Sequence, residues 1–300
     1  MNRRQFLHAS AAALASTALQ PLFGQNPSAP SKPLKMAVNL GMIKGAADAS
    51  IPDRFKMARD AGFQGIELNL PDDKLDPEII HKALNESGLD LAGIICTPHW
   101  SFPLSDPVPA KRERTVKGLQ LALTQGGQLG CKRVLLVPGV VNAQVTYAQC
   151  WERAIEGIKR CVETAEKSHC DIAVENVWNQ FITNPVEAAR FVDECQSPRV
   201  GWHFDIGNCV TYGWPEHWPK ILGKRIFNLH IKEFSRKKAN DEGLRKGFGV
   251  ELGEGDVQWP LVMAALGDTG YEGYAIAEVP GGDAARLQFL SERMTKLLNS

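Results

Sequence analysis

The fold class this sequence predicts is a closed (β/α)8 barrel in one domain, and three observations predict it. From residue 36 onward, short β-rich runs alternate eight times with stretches of helical period. Several runs, such as Val134-Leu135-Leu136-Val137, are apolar at every position, as in a strand buried on both faces of a parallel sheet. No low-complexity linker breaks the series after Pro33, so residues 34–300 read as a single unit. A doubly wound open sheet usually has fewer strands than this, whereas a barrel of eight needs all of them.

In chain order, strands are expected over 36–43, 65–70, 89–97, 133–139, 171–176, 200–208, 226–233 and 273–279. The helix over 52–61 follows Ser50, carries Pro52 in its first turn and stops before Gly62. The helix over 77–87 repeats that logic with Pro77 and Gly88. Longer amphipathic helices are expected over 111–129 and 147–168, the second with Trp151, Ala154, Ile158, Cys161 and Val162 on one face. Helices over 185–195, 214–222, 257–266 and 284–298 complete the set.

The N-terminal residues read as an address rather than as fold. Asn2-Arg3-Arg4-Gln5-Phe6-Leu7, an alanine-rich apolar run to Leu19 and a Pro/Ser/Gln-rich spacer resemble a twin-arginine-type export signal over 1–33. A periplasmic or extracytoplasmic location follows as an expectation, and that route carries proteins already folded. Net charge is zero, with 34 basic and 34 acidic residues, so nothing advertises a nucleic-acid partner. No apolar run is long enough to span a membrane. Seven cysteines without a Cys-x-x-Cys pair argue against a thiolate metal site or a disulfide framework.

Chemistry in such a barrel sits at the C-terminal ends of the strands. The last four expected strands each place an ionisable residue there among apolar neighbours: Glu175, Asp205, His230 and Glu278, separated by 30, 25 and 48 positions. Three carboxylates converging in a partly dry site repel by several kcal/mol at an effective dielectric of about 20. A cation resolves that repulsion. Three oxygens and one imidazole suit a divalent ion, Mn²⁺ first, with Mg²⁺, Co²⁺ or Zn²⁺ as alternatives.

Gly65-Ile66-Glu67-Leu68, Val174-Glu175-Asn176, Phe204-Asp205-Ile206-Gly207-Asn208, Leu229-His230-Ile231-Lys232-Glu233 with Arg236, Leu252-Gly253-Glu254-Gly255-Asp256 and Ala277-Glu278 occur in this order. Together they resemble the xylose-isomerase-like barrel superfamily, and within it the tagatose/psicose 3-epimerase and hydroxypyruvate-isomerase branch, over about residues 36–297. The resemblance implies a sugar isomerase or epimerase with metal ligands Glu175, Asp205, His230 and Glu278. It implies that Glu175 and Glu278 double as acid and base on opposite faces of the sugar. It also implies that Arg236 binds a substrate hydroxyl or phosphate, and it is compatible with a homo-oligomer. Two positions depart from the epimerase pattern: Asn208 stands where those enzymes carry histidine, and Phe181 where they carry a second acid.

The implied chemistry is proton abstraction next to a carbonyl, through a cis-enediolate of an open-chain ketose. Further contacts are expected from His99, Asn208 and Lys232, from Glu67 as an orienting group, and from Trp100, Trp178 and Trp214 as stacking faces. His203 is expected to point away from Asp205 and to be structural. The charged, glycine-bearing stretch 234–255 suits a mobile lid. Three other readings compete. A metal-dependent lyase or hydrolase of 3-keto-glycosides can use the same ligands. A non-catalytic sugar-binding barrel would exchange no C–H proton. An endonuclease on this barrel would need more histidine ligands and a basic face.

Overall fold

Punctuation in the sequence sets where helices begin. In the computed structural model, which describes residues 33–46, 49–72 and 75–300, Ser50 and Asp53 form a reciprocal capping box on α1 (Ile51–Asp60). Asp76 caps α2 (Pro77–Ser87), and Gly88 ends it at φ 70°, a left-handed conformation that favours glycine. Thr146 and Gln149 form a second capping box on α4 (Tyr147–Lys159). Residues 1–32, and with them the expected export segment, lie outside the described residues.

The strands are β1 (Lys35–Asn39), β2 (Gly65–Leu70), β3 (Asp90–Cys96), β4 (Arg133–Leu136), β5 (Asp171–Glu175), β6 (Val200–Asp205), β7 (Ile226–Ile231) and β8 (Tyr274–Ala277). They pair in chain order, all parallel, and β8 closes on β1, so the eight form a closed barrel. Outside it lie α1, α2, α3 (Pro109–Gln128), α4, α5 (Val162–Ser168), α6 (Pro185–Glu194), the one-turn α7 (Ile206–Cys209), α8 (Trp218–Leu222), α9 (Arg236–Glu242), α10 (Trp259–Gly267) and α11 (Ala284–Leu298). Apolar side chains such as Phe55, Ile80, Leu119, Ile158, Phe191 and Trp202 fill the layer between helices and barrel. Burying each is worth about 1.5–3 kcal/mol. All residues of β5 and β6 are buried, the ionisable ones included, as in strands covered on both faces.

Three local readings are corrected. The single helix expected over 147–168 divides into α4 and α5 at Arg160 and Cys161. There the Arg160 carbonyl accepts a bond from Gln120 Nε2 at 3.1 Å, so the chain turns where a side chain from α3 takes its acceptor. The sixth strand ends at Asp205 rather than 208, because the Asp205 carboxylate caps α7 by accepting from the Asn208 N–H at 2.8 Å. Finally, His203 does not point away from Asp205. Residues two apart share a face, and both are buried inside the barrel, with the His203 ring 4.1 Å from that of His230.

A buried quartet at the mouth of the barrel

Glu175 and Asp205 are the last residues of their strands, and His230 is the last but one of β7. Glu278 follows β8 directly, its N–H donating to the Ile231 carbonyl at 3.1 Å. Barrel stagger brings the four together: one ligand atom from each lies within 4.8 Å of the others. His230 Nδ1 stands 2.7 Å from Glu175 Oε1 and 3.1 Å from Glu278 Oε2. Lys232 Nζ stands 3.0 Å from Asp205 Oδ2 and 2.6 Å from Glu278 Oε2.

Each neighbour has a readable effect on charge. Burial pushes the Asp205 carboxyl up to about 7, with Lys232 opposing and Glu278 and Glu175 reinforcing the rise. Burial also raises Glu175, against the pull of His230. Glu278 feels burial too, but Lys232 and His230 outweigh it and hold that carboxyl well below the usual range. His230 is desolvated, yet Glu278, Glu67 and Glu175 together raise it well above an ordinary histidine. Three acids crowded on one imidazole and one ammonium have the composition of a cation site. Apart from their ion pairs with Lys232, and for Glu278 with His230, Asp205 Oδ2 and Glu278 Oε2 accept no hydrogen bond among the described residues, which leaves lone pairs for an ion. The residues present therefore fit a divalent metal held by three oxygens and one nitrogen.

A second set of groups holds these four in place. Glu67, fully buried beneath the mouth, places Oε1 3.4 Å from His230 Nε2 while its Oε2 accepts from Asn39 Nδ2 at 3.0 Å. It thus orients an expected ligand from inside the barrel and does not line the cavity above. Asn176 clamps two strand ends: its Nδ2 donates to the Asp205 carbonyl at 2.8 Å, and its Oδ1 accepts from Asp205 N–H and Trp202 Nε1. That role was not read from the sequence, although an asparagine directly after a strand-end acid is a visible signal. Gly207 lets this corner close, since a Cβ there would meet Lys232 at 2.8 Å.

Above the quartet opens a cavity of about 450 Å³. Of the expected contact residues, His99, Trp178, Asn208 and Lys232 line it, together with Trp100. The Val137 N–H donates to His99 Nδ1 at 3.1 Å, so that nitrogen is the acceptor and Nε2 carries the proton. Burial pushes His99 down to about 3, which keeps it a neutral donor, and its Nε2 has no hydrogen-bond partner among the described residues.

Arg236 does not reach this cavity. Its Nη2 donates to the Gly213 carbonyl at 2.7 Å and its Nε to the Val210 carbonyl at 3.2 Å, tying two loops together under the exposed Trp214 ring. Trp214 itself stacks on His217 and is absent from the cavity wall. The arginine that does line the cavity is Arg245, which forms no ion pair among the described residues. It comes from the stretch expected as a lid, which is built of α9 and a 3₁₀ turn (Leu244–Phe248). Buried Glu233 anchors that stretch by accepting from Phe234 N–H, Gly253 N–H, Val257 N–H and Trp259 Nε1. Phe248 packs on Trp178, ring centres 4.6 Å apart, and completes the wall. Phe181 lies in an aromatic cluster with Tyr147, Trp151 and Phe191, away from the cavity.

A closed parallel barrel with an acid–histidine quartet at the strand ends defines a class of protein, and comparison with known chains gives the family. Residues 55–295 match the xylose isomerase-like TIM barrel family, and the chain belongs to it. It is similar to the L-ribulose-5-phosphate 3-epimerase UlaE of Escherichia coli (strain K12), 23% identical over 263 residues that cover 81% of this chain and 90% of that one. It is also similar to the inosose dehydratase of Clostridium perfringens (strain 13 / Type A), 24% identical over 238 residues, 73% of this chain and 78% of the relative. Among solved structures, a D-tagatose 3-epimerase-like protein superposes with a TM-score of 0.74 at 19% identity, over 88% of this chain and 97% of that one. At that identity the likeness shows the fold alone.

Proposed function

We propose that this protein is a divalent-metal-dependent isomerase or epimerase of a ketose, working by proton abstraction next to a carbonyl. The observation that carries the reading is the convergence of Glu175, Asp205, His230 and Glu278 within 4.8 Å at the floor of a cavity. Those four would hold the ion, Mn²⁺ by donor set, with Mg²⁺, Co²⁺ or Zn²⁺ as alternatives. A divalent ion in this place supplies Lewis-acid stabilisation of developing negative charge on oxygen.

The chain's own groups do the rest. Glu175 and Glu278 form the proton-transfer pair, one taking the C–H proton and the other returning one to the resulting enediolate. Return to the opposite face of the same carbon gives epimerisation, and return to the neighbouring carbon gives isomerisation. General acid–base help of this kind is worth on the order of 10²–10⁴ in rate. His99 Nε2 and Asn208 offer polar contacts for hydroxyls, while Trp100, Trp178 and Phe248 offer ring faces and exclude water. Arg3 and Arg4 before an apolar run support export of the folded protein.

A second reading, a lyase or hydrolase of 3-keto-glycosides, uses the same C–H abstraction followed by departure of a leaving group. It is favoured by Asn208 on the cavity wall, where epimerases of the resembled pattern carry histidine, and by a dehydratase among the relatives. Incubating the Mn²⁺-loaded protein in D₂O with a panel of ketoses, ketose phosphates and 3-keto-glycosides separates the readings. Deuterium gain with an intact carbon skeleton is the expected result. Release of the aglycone would replace it with the second reading, and absence of both exchange and aglycone release would reject both.

A further inference from the structure

We infer that Lys232 is a built-in competitor for the cation site, its positive charge setting how tightly a divalent ion is held. The inference rests on the metal reading above and concerns a residue that the sequence offers only as a substrate contact. Lys232 begins where β7 ends, two positions after His230 on the same strand face. Its Nζ stands 2.6 Å from Glu278 Oε2 and 3.0 Å from Asp205 Oδ2, so the ammonium faces the very carboxylates that would ligate the ion. Gly207 fixes the base of the stem, packing so close that a Cβ there would lie 2.8 Å from the Lys232 backbone and Cβ. On the cavity side, Nζ is 3.4 Å from Asn208 Oδ1 and 5.2 Å from the centre of the Phe248 ring.

An ammonium and a divalent ion sharing two carboxylates in a partly desolvated site repel each other strongly. The arrangement therefore gives up ion affinity. In exchange it keeps a fixed cation at the cavity floor, where negative charge develops on substrate oxygen when a C–H proton leaves. A lysine chosen only for packing or for holding Asp205 and Glu278 in place would have the opposite signature, since its loss would loosen the ligands and weaken the ion.

The test is the Mn²⁺ dissociation constant by titration calorimetry at fixed pH and ionic strength, on full-length wild type and variants. Lys232→Met is expected to bind Mn²⁺ at least about tenfold more tightly than wild type. Lys232→Arg keeps the charge and is expected to stay within about threefold of wild type. Lys224→Met, which removes an exposed lysine from the opposite end of the barrel, is expected to change nothing. If Met does not fold at position 232, Lys232→Gln takes its place, and the same tightening is expected because its amide carries no charge. Unchanged or weaker binding in the folded neutral variant, or equal tightening in Lys232→Arg, overturns the inference and leaves the metal reading standing. Absence of Mn²⁺ uptake by wild type overturns the metal reading, and this inference with it.

Discussion

Strand β5 carries a carboxylate at each end, and the two have opposite surroundings. Asp171, at its start, is paired with Arg133 and with Arg199 Nη1 at 3.0 Å, and Arg133 in turn lies over the Phe227 ring. Glu175, four residues on, faces His230 and two further acids, with its carboxyl raised by burial. The hollows at the two ends differ in the same sense. The one at the start of the strands is larger, about 810 Å³, and is lined by Lys35, Asp90, Lys132 and Arg133 among others. Lys35 and Asp90 there pair with each other at 2.7 Å. The cavity at the strand ends is about 450 Å³ and is floored by buried acids crowded around His230 and Lys232. The larger hollow is the one whose charges pair off singly, and the smaller is the one that crowds buried acids together.

Exchanging the charge at either end breaks that contrast, and the largest effect is expected at Glu175. Glu175→Gln should lower deuterium exchange into the true substrate by about 10²–10⁴-fold while leaving the thermal transition within a few degrees. Wild-type exchange in that variant would remove Glu175 from proton transfer.

The next effect is on pH. Burial pushes Asp205 up to about 7, so between the unfolded carboxylate range and pH 7 the folded, ion-free protein binds the extra proton. Its contribution to stability therefore grows as pH falls from about 7 towards about 4, the reverse of a carboxylate depressed by an ion pair. Ion binding has the opposite slope, because the ligand must lose that proton. Mn²⁺ affinity should fall about tenfold or more per unit below pH 7 and go on rising above it until His230, also raised, has lost its proton, as titration calorimetry across pH 5.5–8 would show. A flat profile would place Asp205 outside the ligand set.

The smallest effect belongs to the other end of β5. Asp171→Asn should cost about 1–2 kcal/mol in urea unfolding, discounted because Arg133 and Arg199 remain partly exposed. Its rate of exchange should stay at the wild-type value. A loss of activity without loss of stability would mean that the two ends of the strand are coupled.

Much of this was legible before any fold was known. Glu175, Asp205, His230 and Glu278 each stand out as an ionisable residue closing an apolar run, and the barrel rule then places all four on one rim. His99 and Trp178 were visible in the same way, as polar or aromatic residues just past a strand. What failed did so for identifiable reasons. Arg236 lies six residues after His230, but spacing along a loop does not say which way the loop turns, and the Gly213 and Val210 carbonyls take its guanidinium. Arg245, nine residues further along the charged, glycine-bearing stretch that suits a mobile lid, carries no local signal of where it will point. Four donors on Glu233 dock that stretch as α9 and a 3₁₀ turn.

By itself the sequence determined the alternation of strands and helices, the closure into a barrel and the identity of the four charged strand ends. These depend on local period and on residue type, which are properties of neighbours in the chain. Only the tertiary structure decided that Glu67 reaches His230 from below, that Asn176 clamps β5 to β6, and that Lys232 pairs with both Asp205 and Glu278. Each of those contacts joins different strands of the barrel, and a contact between distant positions is fixed by packing and register rather than by anything either position carries alone.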